Sequence, residues 1–119
     1  MGNRIRDIKR IAINTTSSSP VVFFTYSTIN NTIFRIRIES IAKRTSTTDG
    51  YCNISERLFK NVSGTINQIG STTTIFNVSD SSLSSSTITT NISGSNLELI
   101  VTPPALTIEW EFVIYIEVN

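Results

Sequence analysis

A chain of 119 residues has room for one domain of ordinary size, and it carries 10 Lys+Arg against 9 Asp+Glu, one cysteine and no histidine. A formal net charge of +1 offers no excess of positive charge to a nucleic-acid backbone, so no nucleic-acid partner is expected. Without histidine the chain lacks the usual neutral-pH proton shuttle and the commonest zinc ligand, and a lone Cys52 cannot form an internal disulfide.

Ser and Thr together supply 34 residues and Ile supplies 19, while Ala, Leu and Met are scarce. That mixture favours strands and turns over helices. Charged residues make up 16%, against about a quarter in typical soluble domains, so hydroxyl groups must wet much of the surface. Apolar stretches fall well short of the roughly 20 residues of a membrane span, and the charged start Met1 to Asp7 has no apolar segment behind it to read as a secretory signal. No membrane partner is expected. Six Asn-x-Ser/Thr sequons, beginning at Asn14, Asn30, Asn53, Asn61, Asn77 and Asn91, follow from the abundance of hydroxyl residues.

In chain order, Arg4 to Ile13 places Ile5, Ile8, Ile11 and Ala12 at near-helical spacing without a cap; a strand or an extended arm competes equally. Thr16 to Pro20 is turn material, Val21 to Ser27 reads as a strand, and Asn30-Asn31 marks another turn. In Thr32 to Arg44, Phe34, Ile36, Ile38 and Ala42 share one face and Arg35, Arg37, Glu39 and Lys43 the other, the pattern of a half-buried antiparallel strand. After the Asp49-Gly50 turn, Tyr51 to Lys60 alternates, with Cys52, Ile54 and Leu58 assigned to the core face, which makes Cys52 a small core hydrophobe.

Gly64 to Ile69 and Thr72 to Val78 read as two strands around a Gly70-Ser71 hairpin turn. Asp80 to Ser86 is a Ser-rich loop with Leu83 as its apolar residue. Strands Thr87 to Ile92 and Leu97 to Thr102 flank Ser93 to Asn96, and Pro103-Pro104 ends the second. From Leu106 to Val118, Ile108, Trp110, Phe112, Ile114, Ile116 and Val118 form a continuous apolar face opposite Glu109, Glu111, Tyr115 and Glu117. If this strand lies beside Thr32 to Arg44, a cross-strand charge ladder joins Glu109, Glu111 and Glu117 to Arg35, Arg37 and Lys43. The expected fold is all-β: an antiparallel β-sandwich, jelly-roll-like, of about eight strands, with residues 1–14 as an N-terminal arm or first strand and 15–119 as the single domain.

Catalytic chemistry finds little support in these residues. No GxSxG occurs and no histidine can act as base. The carboxylates of Glu109-Trp110-Glu111 fall on one face of a strand with Trp110 on the other, and no DxDxDG loop occurs. The chain is expected not to be an enzyme and to need no cofactor or metal. Arg4, Arg6, Lys9 and Arg10 lie within seven positions and form a candidate partner-binding cluster. For a carbohydrate, which stacks on aromatic rings and bonds to amides and carboxylates, Tyr26, Tyr51 and Tyr115 are available; Tyr51, beside Asp49 in a loop, has the best company.

The segments TTSSSP (15–20), NNTIFRIRIESIAKRT (30–45), GYCNISERLFKNVSGTINQIGSTTTIF (50–76), ISGSNLELIVTPP (92–104) and TIEWEFVIYIEV (107–118) resemble a small β module that recurs in virion proteins of tailed bacteriophages and of some large DNA viruses. The resemblance covers about nine tenths of the chain, and similar modules carry a Trp near the strand after the 80–86 loop, where this chain has Leu83. It implies a non-enzymatic virion component that contacts other virion proteins (major capsid or tail proteins) and assembles as a homo-oligomer, trimers being common among such parts. Two roles are then open. In the preferred one the protein is a capsid-associated decoration or minor virion protein, residues 1–14 touching the shell. In the alternative it is a receptor- or glycan-binding module of a tail or fibre, meeting a host-surface glycan through Asp49, Tyr51 and Leu83.

Overall fold

The strongest apolar alternation in the sequence becomes the middle of the protein. A computed structural model describes residues 5–119, with side chains from residue 6, and contains eight strands: β1 (Ile5–Thr15), β2 (Val21–Ser27), β3 (Thr32–Arg44), β4 (Gly50–Val62), β5 (Thr65–Ser79), β6 (Thr87–Ser93), β7 (Asn96–Thr102) and β8 (Ile108–Val118). They form a five-stranded antiparallel sheet ordered β1-β8-β3-β4-β5 and a three-stranded one ordered β2-β7-β6. The expected all-β, sandwich-like architecture is present, with sheets of unequal width. The segment at 4–13, open between helix and extended chain in sequence, is a strand from Ile5 onward: β1 pairs with β8 from Ile5 opposite Val118 to Thr15 opposite Ile108.

Alternation on β8 buries Ile108, Trp110, Phe112, Ile114, Ile116 and Val118, and on β3 it buries Phe34, Ile36, Ile38 and Ala42. The small sheet answers with Phe23, Leu97, Leu99 and Val101. Phe23 sits at a bulge between Val22 and Phe24, and its ring stacks on Phe112 with centroids 3.7 Å apart. Trp110 continues the stack to Phe112 at 5.8 Å and meets Tyr51 edge-on at 5.5 Å. Its indole Nε1 donates to Thr15 Oγ1 at 2.8 Å, so the one polar atom of the largest core side chain is satisfied.

Two sequence expectations are corrected. On β4 the buried set is Tyr51, Ser55, Arg57, Phe59 and Asn61, while Cys52, Ile54 and Leu58 face outward. The aromatic residues fix the phase: Tyr51 reaches Trp110 and Phe59 lies 5.4 Å from Phe34, and a slip of one residue would expel both. Cys52 is therefore half-buried on the outer surface, where burial first and Glu39 second push its thiol pKa up. The second correction concerns Gly70-Ser71, which is no hairpin. Gly70 has φ +71 but Ser71 is not in the left-handed region, and a tight two-residue type I′ turn needs both. The chain bulges there and continues as a single 15-residue strand. The β4–β5 turn falls instead at Ser63 (φ 52) and Gly64 (φ 89). It is pinned by Asn61 Oδ1, which accepts from Gly64 N at 2.8 Å, and by Asn31 Oδ1, which accepts from Ser63 N at 3.1 Å.

Arg57 is the unusual interior residue. It is 5% exposed, its guanidinium donates to Ser55 Oγ at 2.9 Å and across the sheets to Ile88 O at 3.1 Å, and desolvation lowers its pKa. Arg57→Ala is expected to reduce stability by about 2 kcal/mol, since it removes a packed stem and strands a carbonyl and a hydroxyl. Thr15→Val should lose about 1–3 kcal/mol by leaving the Trp110 N–H buried without an acceptor, and Thr15→Ser should retain most of it. Urea unfolding curves for the three variants check both statements, and an unchanged midpoint for Thr15→Val would contradict the role given to that bond.

Candidate functional site

Pleating sends every second side chain of β1, β8, β3 and β4 to the outer face of the large sheet, and two adjacent rows there collect the charges. One row runs Arg6, Glu117, Arg35, Leu58 across the four strands, and the next runs Ile8, Tyr115, Arg37, Glu56. Neighbouring strands stand about 4.8 Å apart, so charges in one row are within reach of one another. Arg6 Nε lies 3.0 Å from Glu117 Oε2 and Arg35 Nη2 lies 3.6 Å from Glu117 Oε1. Arg37 donates from Nε to Glu39 Oε2 at 3.0 Å and from Nη1 to Glu56 Oε2 at 3.4 Å, and the Glu39 bond is the largest influence raising its pKa. Tyr115 Oη donates to Glu39 Oε1 at 3.5 Å.

These residues surround a hollow of ≈ 430 Å³ lined by Arg6, Asp7, Ile8, Arg35, Arg37, Glu56, Tyr115, Ile116 and Glu117. Three guanidinium groups and the carboxylates of Glu56 and Glu117 line it, while the Asp7 side chain turns to the other face of β1, so the hollow presents alternating donors and acceptors. The Tyr115 ring and the exposed Ile8 add apolar surface beside them. Such a surface suits a hydroxyl-rich ligand, whose hydroxyls pair with the charged groups and whose C–H faces rest on the ring. Among the described residues, no group of three His, Cys, Asp or Glu is placed to hold a metal ion.

The residues singled out in sequence are distributed differently from the expectation. Arg4 lies outside the described residues. Arg6 and Arg10 point to the outer face, while Lys9 points to the other and pairs with Asp7 at 3.2 Å, so strand alternation divides the basic cluster. In the charge ladder Lys43 meets Glu109 at 3.6 Å and Arg35 meets Glu117, but Arg37 stands opposite Tyr115 and bonds to Glu39 and Glu56; Glu111 stands opposite Ile41.

The Asp49, Tyr51, Leu83 contact set does not form a surface. Tyr51 is 4% exposed against Trp110, and Leu83 is fully buried on a single 3₁₀ turn (Ser81–Leu83), closing that end of the core. Asp49 Oδ2 accepts from Ser82 Oγ at 2.7 Å, and Asp80 Oδ2 accepts from Gly50 N at 2.8 Å, so both carboxylates tie this loop to β4. The residue that sequence reasoning undervalued is Tyr115, whose charged neighbours lie on other strands.

No protein-family model matches the chain, and no curated protein matches it in sequence. Among solved structures, the fold is similar to part of the tailspike protein gp49 from Acinetobacter baumannii bacteriophage Fri1, a capsular polysaccharide depolymerase. The TM-score is 0.61 at 12% identity, covering 97% of this chain and 17% of that one. The tailspike protein of Acinetobacter baumannii phage AM24 aligns at a TM-score of 0.47 and 11% identity, covering 95% of this chain and 26% of that one. The likeness to the Fri1 protein is one of fold, and this chain spans about a sixth of its length.

Burial raises the pKa of Tyr51 to about 12, with a smaller contribution from Cys52, and burial followed by Asp7 raises that of Tyr26. A tyrosine whose folded pKa exceeds the ordinary 10.0 contributes stability that is complete below pH 10.0 and lost as pH climbs through the folded value. Between pH 10.0 and about 12 the protein should therefore lose stability. Tyr51→Phe should flatten that decline while changing little at neutral pH, as thermal midpoints across the pH series would show.

Proposed function

We propose that the chain is a non-catalytic, glycan-binding module of a bacteriophage tail protein of the spike or fibre kind, carried on the virion, and that the hollow around Tyr115 is where the sugar sits. The observation that carries this reading is the fold shared over 97% of the chain with a segment of a capsular polysaccharide depolymerase tailspike. The chemistry of the hollow agrees with it. Glu56 and Glu117 are each engaged by guanidinium groups, so these carboxylates serve as fixed acceptors for hydroxyl groups. The natural ligand class is a host-surface polysaccharide, with the hollow accepting one or two sugar residues.

The capsid-decoration role was drawn from the small size and the basic start of the chain. From Ile5 onward that start is the β1 edge strand, paired with β8 on one side, and the likeness to a tailspike segment favours the tail reading.

The test is binding of capsular oligosaccharides to the purified chain by calorimetry and glycan array. Tyr115→Ala should weaken binding about ten-fold, the scale of one lost ring-stacking contact, and Arg37→Ala should do at least as much by freeing Glu39 and Glu56 together. Tyr51→Phe and Leu83→Met, both in the core, should leave affinity unchanged. Full affinity in Tyr115→Ala would remove the hollow from consideration, and no binding across a broad capsular panel would remove the glycan reading itself.

A further inference from the structure

We propose that the hollow around Tyr115 selects a sugar residue bearing a carboxylate, a uronic acid or a related acidic sugar, and that Arg6 and Arg35 together bind that carboxylate. This rests on the glycan reading of the hollow and adds to it the charge of the sugar and the direction in which it lies.

The ion pairs of the hollow are unequally shared. At one end two guanidinium groups divide a single carboxylate, Arg6 Nε lying 3.0 Å from Glu117 Oε2 and Arg35 Nη2 lying 3.6 Å from Glu117 Oε1. At the other end one guanidinium is divided between two carboxylates, Arg37 reaching Glu39 at 3.0 Å and Glu56 at 3.4 Å. Among the described residues, the first group therefore holds one positive charge in excess and the second one negative charge.

Exposure settles which of these charges a ligand meets first. The Arg6 and Arg35 side chains are 67% and 54% exposed, whereas Glu117 between them is 20% exposed and Arg37 is 35% exposed. The cations at the first end project, and the carboxylate that joins them is recessed. Each guanidinium carries five N–H groups in a planar fork and meets one oxygen of Glu117, so donors remain on both. An incoming carboxylate matches that fork in shape, and its single negative charge balances the single positive charge in excess. A dianionic phosphate monoester would overfill the same place and set its second charge against Glu117.

Strand register supplies the rest of the footprint. Arg6, Glu117 and Arg35 stand in one row and Ile8, Tyr115 and Arg37 in the next. Consecutive rows on one face are about 7 Å apart, so the Tyr115 ring lies beside the cationic end. A sugar residue resting a C–H face on that ring can turn its carboxylate to Arg6 and Arg35 and its hydroxyl groups to Glu56. Turned the other way, the same sugar would set its carboxylate against Glu56, a like-charge contact that fixes the direction of the bound chain.

The probes are uronic-acid-bearing capsular oligosaccharides and the same oligosaccharides after carbodiimide activation and borohydride reduction, which turns each carboxyl into a primary alcohol and leaves rings and linkages alone. Each is titrated into the full 119-residue chain by calorimetry. Reduction should weaken binding at least about ten-fold, the scale of a lost charge-assisted hydrogen bond. Arg35→Gln should remove most of the difference between the two forms, and Arg35→Lys should restore part of it. Lys43→Gln makes the same change of charge beside Glu109, outside the hollow, and should leave the difference intact. Far-UV circular dichroism would confirm that the variants keep their strands. Equal affinity for the two forms, or an undiminished difference in Arg35→Gln, would overturn the acidic-sugar proposal and leave the hollow a glycan site. Binding of neutral capsular oligosaccharides alone would do the same, whereas no binding of acidic, reduced or neutral ones would remove the glycan reading and this proposal with it.

Discussion

The rings that cross the gap between the sheets are what the rest of the structure depends on. Phe23 from the small sheet stacks on Phe112, Phe112 on Trp110, and Trp110 meets Tyr51 on β4. Three strands of two sheets are thereby held to one depth, and each ring removes a large apolar area from water. A bulge is needed to bring Phe23 into line, which shows the backbone of β2 yielding to the packing of a side chain. Hydroxyl groups then fill the margins: Thr15 receives the indole N–H, and Thr28 Oγ1 accepts from Asn61 Nδ2 at 2.7 Å near the hairpin that begins β5.

Once the inner face is fixed, period-two alternation fixes the outer one. Tyr115 faces outward because Ile114 and Ile116 face in, and Arg35 and Arg37 flank it because Ile36 is fully buried. The hollow is thus the reverse side of the core: Arg6, Arg37, Glu56 and Tyr115 come from four strands and meet because their neighbours in sequence are committed inward. Each guanidinium there is already bonded to a carboxylate, so the site is organised before any ligand arrives.

What was legible in the sequence follows from how local the controlling interaction is. On β3 and β8 one face is apolar but for Ser40, and the strands and their inward residues could be read directly, whereas their mutual pairing is supplied by the structure. On β4 both faces carry apolar residues, Cys52, Ile54 and Leu58 on one and Tyr51 and Phe59 on the other, and the choice was made by Trp110 and Phe34 on other strands. Gly70-Ser71 looked like a turn because glycine permits one; the partner strand β4, which runs on past that point, made a bulge instead. The site was hidden for the same reason. Tyr51 has Asp49 nearby in sequence but Trp110 nearby in space, whereas Tyr115 gains Arg37 only through a register between residues far apart in the chain.

The pairing of β1 with β8 has a mechanical meaning. Ile5 stands opposite Val118, and Asn119 exchanges backbone hydrogen bonds with Ile33 at 2.9 and 2.8 Å, so the two ends of the described chain leave the same end of the large sheet, side by side. Tension applied between those ends pulls across the ladder and loads its bonds one at a time, so β1 peels away as a zipper opens. Tension along the strands, delivered through the far turns, would load the whole ladder at once. The protein is therefore soft to a pull that separates its ends and stiff to one that stretches it along its 50 Å axis, a directional compliance set by strand order alone.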